Sequence, residues 1–205
     1  IVGIRWWEVT IEGTANHAGT TPMHQRRDAL LAGARFIQMV NRVVTRTPGT
    51  QVGTVGRIQA QPGAPNVIPG RVVATLELRD LEEAKIERLY RSIRAAARRI
   101  ARSSGTHFDF GELHANAPAP ADERIRRLIA EAAAELGLES RLMPSGAAHD
   151  AQSMARLGPA GMIFIPSRGG ISHSPHEFSE PGHILAGANV LLHTLLRLDA
   201  REPTT

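Results

Sequence analysis

The order of hydrophobic periodicities in the first part of the chain constrains its fold more than any other feature. Alternating apolar and polar residues predict strands over residues 4–13, 51–61, 71–80 and 107–114. Apolar residues with helical spacing predict helices over residues 26–46 and 81–103. The order β-α-β-β-α-β within about 115 residues is that of a ferredoxin-like split unit. This part of the chain is therefore predicted to be an α+β domain.

A segment rich in proline and alanine, residues 116–121, follows this unit, and we place a domain boundary between residues 117 and 118. Beyond it, helices are predicted over residues 122–136, 149–158 and 181–198, and short strands over residues 140–143 and 161–165. The second of these strands is continuously apolar and is expected to be buried. Two strands do not make an independent doubly wound sheet, so residues 118–205 are predicted to be an α/β segment whose partner strands lie outside this chain.

Composition narrows the classes of protein and of site. The 205 residues include no cysteine, which excludes disulfides and thiolate metal sites and leaves nine histidines as the soft metal ligands. The sequence shows no apolar run of membrane-spanning length and no signal-peptide pattern, and we expect a cytoplasmic protein without a membrane partner. The chain starts at Ile1 rather than at a methionine, at the predicted entry to a strand, and we expect it to be a fragment of a longer protein.

Nucleic-acid binding is the function that a basic ferredoxin-like domain first suggests. The second helix carries an arginine stripe: Arg91, Arg94, Arg98 and Arg102. The same helix also carries acidic residues, with Glu87 four positions before Arg91, and the sheet offers no clear pair of exposed aromatics for base stacking. A solvated helix face is therefore favoured, and we expect no nucleic-acid partner.

A polar loop after the apolar run 161–165 is the first candidate site. Gly169 and Gly170 allow positive φ and a close approach of the backbone to a ligand. Pro175 prevents a helix, so His173 is expected to project from a loop with Glu177 close enough to orient it. Taken alone, the segment is equally compatible with an ordinary loop histidine.

Three further candidates each have a structural alternative. His17 lies in a loop of small residues, and its imidazole could be exposed for chemistry or could cap the following helix, which we expect to begin with Thr21 as its N-cap. Arg79, at a strand end, could bind a carboxylate bidentately or form a surface ion pair with Asp80 or Glu82. The segment Ser145 to Asp150 could be read as a nucleophile, a base and an orienting acid, but it lacks the Gly-x-Ser-x-Gly elbow. The favoured alternative is that His149 and Asp150 cap the start of the next helix.

Four segments in series resemble one family, the hydantoinase/carbamoylase-type amidohydrolases. They are Asn-His-Ala-Gly-Thr-Thr-Pro-Met at residues 16–23, Pro-Asn-Val-Ile-Pro-Gly at 65–70, Pro-Ser-Gly-Ala-Ala-His-Asp-Ala at 144–151 and Gly-Ile-Ser-His-Ser-Pro at 170–175. The group includes N-carbamoyl-L-amino-acid hydrolase, β-alanine synthase and allantoate amidohydrolase, and it is related to dinuclear-zinc aminopeptidases. One departure is Ala148, where the family pattern is expected to have glycine.

The resemblance implies an architecture. Residues 1–117 would be the family's ferredoxin-like lid, which also makes a homodimer. Residues 118–205 would be the C-terminal part of a catalytic α/β domain like that of the dinuclear-zinc aminopeptidases. The family's other metal ligands and its general-base glutamate would lie upstream of Ile1.

The resemblance also implies roles, position by position. His17 matches a lid histidine that stabilises the oxyanion in an active site of the neighbouring subunit, and His173 matches the last metal ligand. Asn66 and Arg79 match lid residues that hold the substrate, Arg79 through its carboxylate. Backbone contacts to substrate are implied for Gly170, Ile171 and Ser172, while His149 lies in a matched motif without an assigned role.

The implied function is hydrolysis of non-peptide C–N bonds by a centre of two divalent metal ions. Zinc is the first expectation, with manganese, cobalt and nickel as alternatives. The implied substrate is an N-carbamoyl-L-amino acid or a related ureido acid, with allantoate as the alternative within the family. A different class stays open, in which the chain is a non-catalytic lid or dimerisation module.

Overall fold

The computed structural model describes residues 1–200, and these form two compact units. The first unit comprises Ile1–Ala119 together with Ser145–Ala148, and the second comprises residues 120–144 and 149–200. None of the helices within residues 1–200 combines the length and the apolar character needed to cross a membrane.

The first unit contains the elements of the split β-α-β plan with some additions. Its helices are α1 (Ala29–Arg46) and α2 (Glu83–Ser104). Its strands are β1 (Gly3–Glu12), β2 (Asn16–His17), β3 (Val52–Thr54), β4 (Ile58–Gln61), β5 (Val67–Ile68), β6 (Arg71–Asp80) and β7 (His107–Asn116). A short 3-10 turn, Met23–Gln25, precedes α1.

The main sheet is antiparallel and confirms the ferredoxin-like topology. β6 and β1 are its central strands, β7 pairs with the other side of β1, and β3 and β4 both pair with β6. The predicted strand over residues 51–61 is therefore two short strands on one neighbour, separated by residues 55–57, which form no ladder. With β3 and β4 counted as one interrupted strand, the order is that of the split β-α-β unit.

The core of this unit lies between one face of the sheet and the two helices. Trp7, Val9 and Ile11 of β1 pack with Phe36 of α1 and Ile93 of α2, and all five are essentially inaccessible to solvent. From Trp6 onward, the alternate residues of β1, Trp6, Glu8, Thr10 and Glu12, face away from this core and remain partly or fully exposed. The sequence alternation therefore correctly separates a buried face from an accessible one.

The start of α1 differs from the prediction because its cap lies further along the chain. The carboxylate of Asp28 accepts hydrogen bonds from the backbone N–H groups of Leu30 and Leu31, so Asp28 is the N-cap. Thr21 is not a cap; its hydroxyl donates to the carbonyl of His17 at 2.7 Å. The end of α2 agrees with the predicted range within one residue, and the helix is followed by Gly105 in the left-handed conformation with φ 64°.

The second unit contains α3 (Glu123–Glu135), the short α4 (Ala151–Met154) and α5 (Pro181–Ala200), with a 3-10 turn at Arg168–Gly170. The helices α3 and α5 pack through a small cluster of Ala132, Ala133 and Val190. The strands predicted at residues 140–143 and 161–165 are wrong, since neither segment forms a ladder. A strand requires a hydrogen-bonded neighbour, and the described part of the second unit supplies none.

The burial expected for the apolar run 161–165 is also not observed, and the last helix is largely exposed. Phe164 and Ile165 are 47% and 37% exposed. The apolar residues of α5 are largely accessible, with exposures of 50% or more at Ile184, Leu185, Leu191, Leu192 and Leu195. Amphipathic spacing gives the apolar face of a helix, but whether that face is covered depends on neighbouring elements.

Candidate active site

A two-stranded ribbon joins the first two motifs. β2 and β5 pair antiparallel, with Asn16 opposite Ile68 and His17 opposite Val67. The backbone N–H of Ala18 then donates to the carbonyl of Asn66 at 2.9 Å. His17 and Asn66 are therefore neighbours in the fold, although they are 49 positions apart in the sequence. Their positions as catalytic and substrate-binding candidates remain compatible with one shared site.

The imidazole of His17 is held in one orientation by its own loop. Its Nδ1 atom accepts hydrogen bonds from the backbone N–H groups of Gly19, at 3.0 Å, and Thr20, at 3.2 Å. A nitrogen that accepts two N–H donors carries no proton, so the proton of the neutral ring lies on Nε2. The His17 side chain is exposed, and Nε2–H is a hydrogen-bond donor available at the surface of the first unit. The alternative in which His17 caps α1 is wrong, because Asp28 does so.

A glycine makes the approach of this loop to the ring feasible. A Cβ atom on Gly19 would lie 3.2 Å from Cε1 of His17, closer than ordinary van der Waals contact. Gly70 has a similar role beside the ribbon, since a Cβ there would lie 2.7 Å from the backbone nitrogen of Ala15. Both glycines therefore serve close backbone approach, as their place in the motifs suggested.

Arg79 lies on the accessible face of the sheet and is already paired with a carboxylate. Its Nε and Nη2 atoms contact Oε1 and Oε2 of Glu77 at 2.8 and 2.9 Å, a bidentate arrangement. Its Nη1 donates to the carbonyl of Gly146 at 2.8 Å, and the indole N–H of Trp6 donates to Oε2 of Glu77 at 2.5 Å. The guanidinium is thus oriented by a fixed set of partners rather than mobile at the surface.

The partners expected for Arg79 as a surface residue are wrong. Asp80 points to the other side of the sheet, where it is buried and lies 3.0 Å from Nζ of Lys85. Glu82 lies 3.9 Å from Arg88 instead. Strand alternation explains the difference, because Glu77 shares a face with Arg79 and Asp80 does not. Sequence reasoning missed Glu77, although its spacing of two residues along a strand was the available signal.

The loop that carries His173 is closed by its own contacts. The backbone N–H of Arg168 donates to the carbonyl of Phe178 at 2.7 Å, and the guanidinium of Arg168 lies 4.5 Å from the centre of the Phe178 ring. Glu177 does not contact the His173 ring; its carboxylate accepts the backbone N–H of His173 at 2.9 Å. His173 is exposed and is the one non-glycine residue within positions 1–200 that has a positive φ, 55°. Such an observed strain is a pointer to a functional position.

The backbone groups of the residues just before His173 are mostly hydrogen-bonded within the loop. Gly170 has φ 68° and donates its N–H to the carbonyl of Ser167, while the N–H of Ile171 donates to the carbonyl of Arg168. The Ser167 hydroxyl donates to the carbonyl of Ile171 at 2.6 Å. The side chain of Ser172 is exposed. Contacts from this stretch to a ligand would therefore come from its remaining groups, above all from Ser172.

His149 belongs to the second unit and begins α4. Its backbone N–H donates to the side-chain oxygen of Gln152, and the backbone N–H of Gln152 donates back to the carbonyl of His149. The imidazole packs edge-on against Phe164 with ring centres 5.8 Å apart. Asp150, expected to cap this helix, makes no side-chain cap. These contacts leave the chemical role of His149 unassigned.

The described residues do not build a metal centre by themselves. Within residues 1–200, no three side chains among His, Asp and Glu come together in a geometry that could hold an ion. His173 offers a single imidazole donor on an exposed loop, whereas a dinuclear centre requires several ligands. We therefore derive no chemical step through a metal from these residues.

Comparisons with known proteins agree along nearly the whole chain. A family model described as peptidase family M20/M25/M40 matches residues 9–197. An N-carbamoyl-L-amino acid amidohydrolase from Geobacillus stearothermophilus is 40% identical over 202 residues, covering 98% of this chain and 49% of that protein. An allantoate amidohydrolase from Bacillus subtilis strain 168 is 38% identical over 198 residues, covering 97% and 48%.

Comparison with solved structures also matches amidohydrolases along nearly the whole chain. An amidase of the hydantoinase/carbamoylase family from Burkholderia multivorans superposes with a TM-score of 0.90 at 39% identity, covering 99% of this chain and 49% of that one. The chain spans about half the length of the curated relatives it matches.

Proposed function

We propose that this chain, which belongs to peptidase family M20/M25/M40, is part of an amidohydrolase acting on N-carbamoyl-L-amino acids or related ureido acids. Allantoate is the second candidate, because an allantoate amidohydrolase is also a relative at similar identity. The observation that carries the proposal is the fixed imidazole of His17, which lies in the first matched motif and exposes Nε2–H as a donor.

His17 would act on the negative charge that develops when the carbonyl or amidine carbon is attacked. The neutral imidazole can donate a hydrogen bond from Nε2–H to such an oxyanion. A donor that is already fixed in place needs no reorganisation during the reaction. The two backbone N–H groups on Nδ1 supply this fixation. Asn66, beside His17 on the ribbon, would hold the substrate next to this donor.

Arg79 would bind the carboxylate of the substrate, but in a different copy of the site from His17. Arg71 begins β6 and Arg79 is its penultimate residue, and eight residues at about 3.3 Å each separate them by roughly 26 Å. His17 lies in the ribbon that leads into the Arg71 end, and Asn66 directly precedes the second strand of that ribbon. A ureido acid is far shorter than this separation, which favours a homodimer in which each active site takes His17 and Asn66 from one copy and Arg79 from the other.

The edge of the sheet supports the lid as the dimer interface. β7 pairs with β1 along one side, and its other side has no partner strand in the part of the chain that the structure describes. An unpaired strand of this length is suited to pairing with a second copy of itself. The lid would then be both the dimerisation element and the carrier of His17.

His173 would supply one metal ligand to the complete enzyme. Members of the family are generally metal-dependent, and a neutral imidazole is a common ligand of zinc and related ions. The strained backbone of His173 and the anchoring of its N–H by Glu177 both fix the place from which the ring projects. The resemblance implies further ligands, and the residues described here do not supply them.

The substrate assignment is tested on the complete protein with its metal restored. We expect kcat/KM for N-carbamoyl-L-amino acids to exceed that for allantoate by at least about tenfold, because a pocket that pairs specific substrate groups rejects molecules that leave those groups unpaired. The measurement is release of ammonia from each substrate under identical conditions. A reversed ratio would move the assignment to allantoate, and turnover of dipeptides alone would remove it from this class of reaction.

His173→Ala is expected to lower the metal content of the complete protein by about one ion per subunit, since the variant removes one donor of a small ligand set. The measurement is elemental analysis after gel filtration in metal-free buffer. His176→Ala is the matched control, because His176 is an exposed histidine of the same loop. Equal metal content in His173→Ala and the unmodified protein would contradict the ligand assignment.

A further inference from the structure

Arg26 is a half-buried residue whose guanidinium donates to two backbone carbonyls of the loop that carries His17. Its Nη2 donates to the carbonyl of Ala18 at 2.5 Å, and its Nε donates to the carbonyl of Thr21 at 3.0 Å. Neither contact is an ion pair. A charged guanidinium used on two carbonyls of a short loop fixes the directions of those peptide groups.

The Ala18–Gly19 peptide connects Arg26 to the imidazole. In a trans peptide the C=O and the following N–H lie in one plane and point in opposite directions. The carbonyl of Ala18 accepts from Arg26, and the N–H of Gly19 donates to Nδ1 of His17 at 3.0 Å. Turning this peptide to free the carbonyl would also withdraw the N–H from the ring.

We propose that Arg26 is a positioning residue that keeps His17 as the Nε2–H tautomer, acting through the Ala18–Gly19 peptide. The guanidinium polarises that peptide, which strengthens the N–H donor on Nδ1. It also fixes the plane of the peptide, so the imidazole keeps its orientation. These contacts support the inference about the tautomer. The effect of the tautomer on catalysis rests on the proposed function of His17.

The tautomer can be read directly from the imidazole nitrogen chemical shifts in NMR, at a pH well above the ordinary titration range of histidine. The His17 signals are identified by their loss in His17→Gln. In the unmodified chain, Nδ1 is expected to have the shift of a bare nitrogen and Nε2 that of a protonated one. In Arg26→Met, we expect the two shifts to move toward each other as the Nδ1–H form becomes populated.

Arg27→Met is the matched control. It removes the same charge from the next residue, whose side chain is exposed. It should leave both nitrogen shifts of His17 unchanged. Retention of the backbone amide signals of the β2–β5 ribbon shows that each variant is folded. If Arg26→Met unfolds, Arg26→Lys replaces it as the test variant, since an ammonium keeps the charge and can donate to one of the two carbonyls. The two nitrogen shifts of His17 are then expected to move in the same direction by a smaller amount.

In the complete enzyme, Arg26→Met should lower kcat by roughly tenfold with little change in KM, less than the loss of an oxyanion donor itself. Arg26→Lys should recover part of that loss. Unchanged nitrogen shifts in a folded Arg26→Met, or in a folded Arg26→Lys where the methionine variant unfolds, overturn the inference. Shifted nitrogens with an unchanged kcat would uphold the positioning of the ring and count instead against a catalytic role for His17.

Discussion

His17→Ala in the complete enzyme is expected to lower kcat by about 100- to 1,000-fold while KM changes little, the loss that follows removal of one oxyanion donor. The donor is Nε2–H, which the hydrogen bonds of Gly19 and Thr20 to Nδ1 leave on the exposed side of the ring. Since the interaction forms with the developing charge rather than with the ground state, the effect belongs in kcat. Steady-state kinetics over a range of substrate concentrations separates the two parameters.

The control for this variant is His24→Ala. His24 is an exposed histidine of the neighbouring 3-10 turn, and its ring contacts only the side chain of Gln25, at 3.5 Å. Its replacement should leave kcat within about twofold, the range of surface substitutions away from special features. If His17→Ala retained the full kcat while its fold was intact, the oxyanion role would be excluded.

Arg79→Ala is expected to raise KM for a carboxylate-bearing substrate by roughly ten- to a hundredfold, the range of a charge-assisted hydrogen-bond pair. Removal of the guanidinium also leaves the carboxylate of Glu77 without its bidentate partner on the same face of β6. That carboxylate would then repel the substrate. The double variant Glu77→Gln/Arg79→Ala removes this repulsion, so its KM gives the contribution of Arg79 alone.

Two further measurements make this test specific. Arg57→Ala removes an exposed arginine that pairs with Glu8 at 3.4 Å, and it should leave KM unchanged. A substrate whose carboxylate is replaced by an amide should lose most of the difference between the unmodified enzyme and Arg79→Ala, because it lacks the charge that Arg79 binds. An equal effect of Arg79→Ala on both substrates would assign Arg79 a structural role through Gly146 and Glu77.

Local patterns in the sequence were sufficient where an element is defined by its own residues or by near neighbours. The alternation in β1 and β6 and the helical spacing of α1 and α2 predicted the ferredoxin-like unit, and the four motifs predicted the family that the comparisons confirm. The helix end at Gly105 was predictable because a left-handed cap is a local requirement. The start of α1 was missed because Thr21 and Asp28 both suit an N-cap, and the loop contacts of Thr21 decide between them.

Predictions failed where a property depends on a distant partner. The apolar run 161–165 has the composition of a buried strand, yet it forms no ladder within residues 1–200 and is partly exposed. The pairing of Arg79 with Glu77 rather than Asp80 is a different case, because strand parity, which the sequence does show, puts Glu77 on the face of Arg79. The use of Arg26 on two carbonyls left no signal in the sequence at all, because carbonyl groups are common to every residue.

The sequence by itself determined the ferredoxin-like unit, the family, and the candidates His17, Asn66, Arg79 and His173, since these depend on periodicity and on residue types at fixed spacing. Only the tertiary structure decided what each candidate contacts. It joined His17 to Asn66 through the β2–β5 ribbon, directed Nε2–H outward, and set Arg79 at the far end of β6. The physical reason is that hydrogen-bond partners and strand register join residues remote in the chain, whereas motifs record only near neighbours.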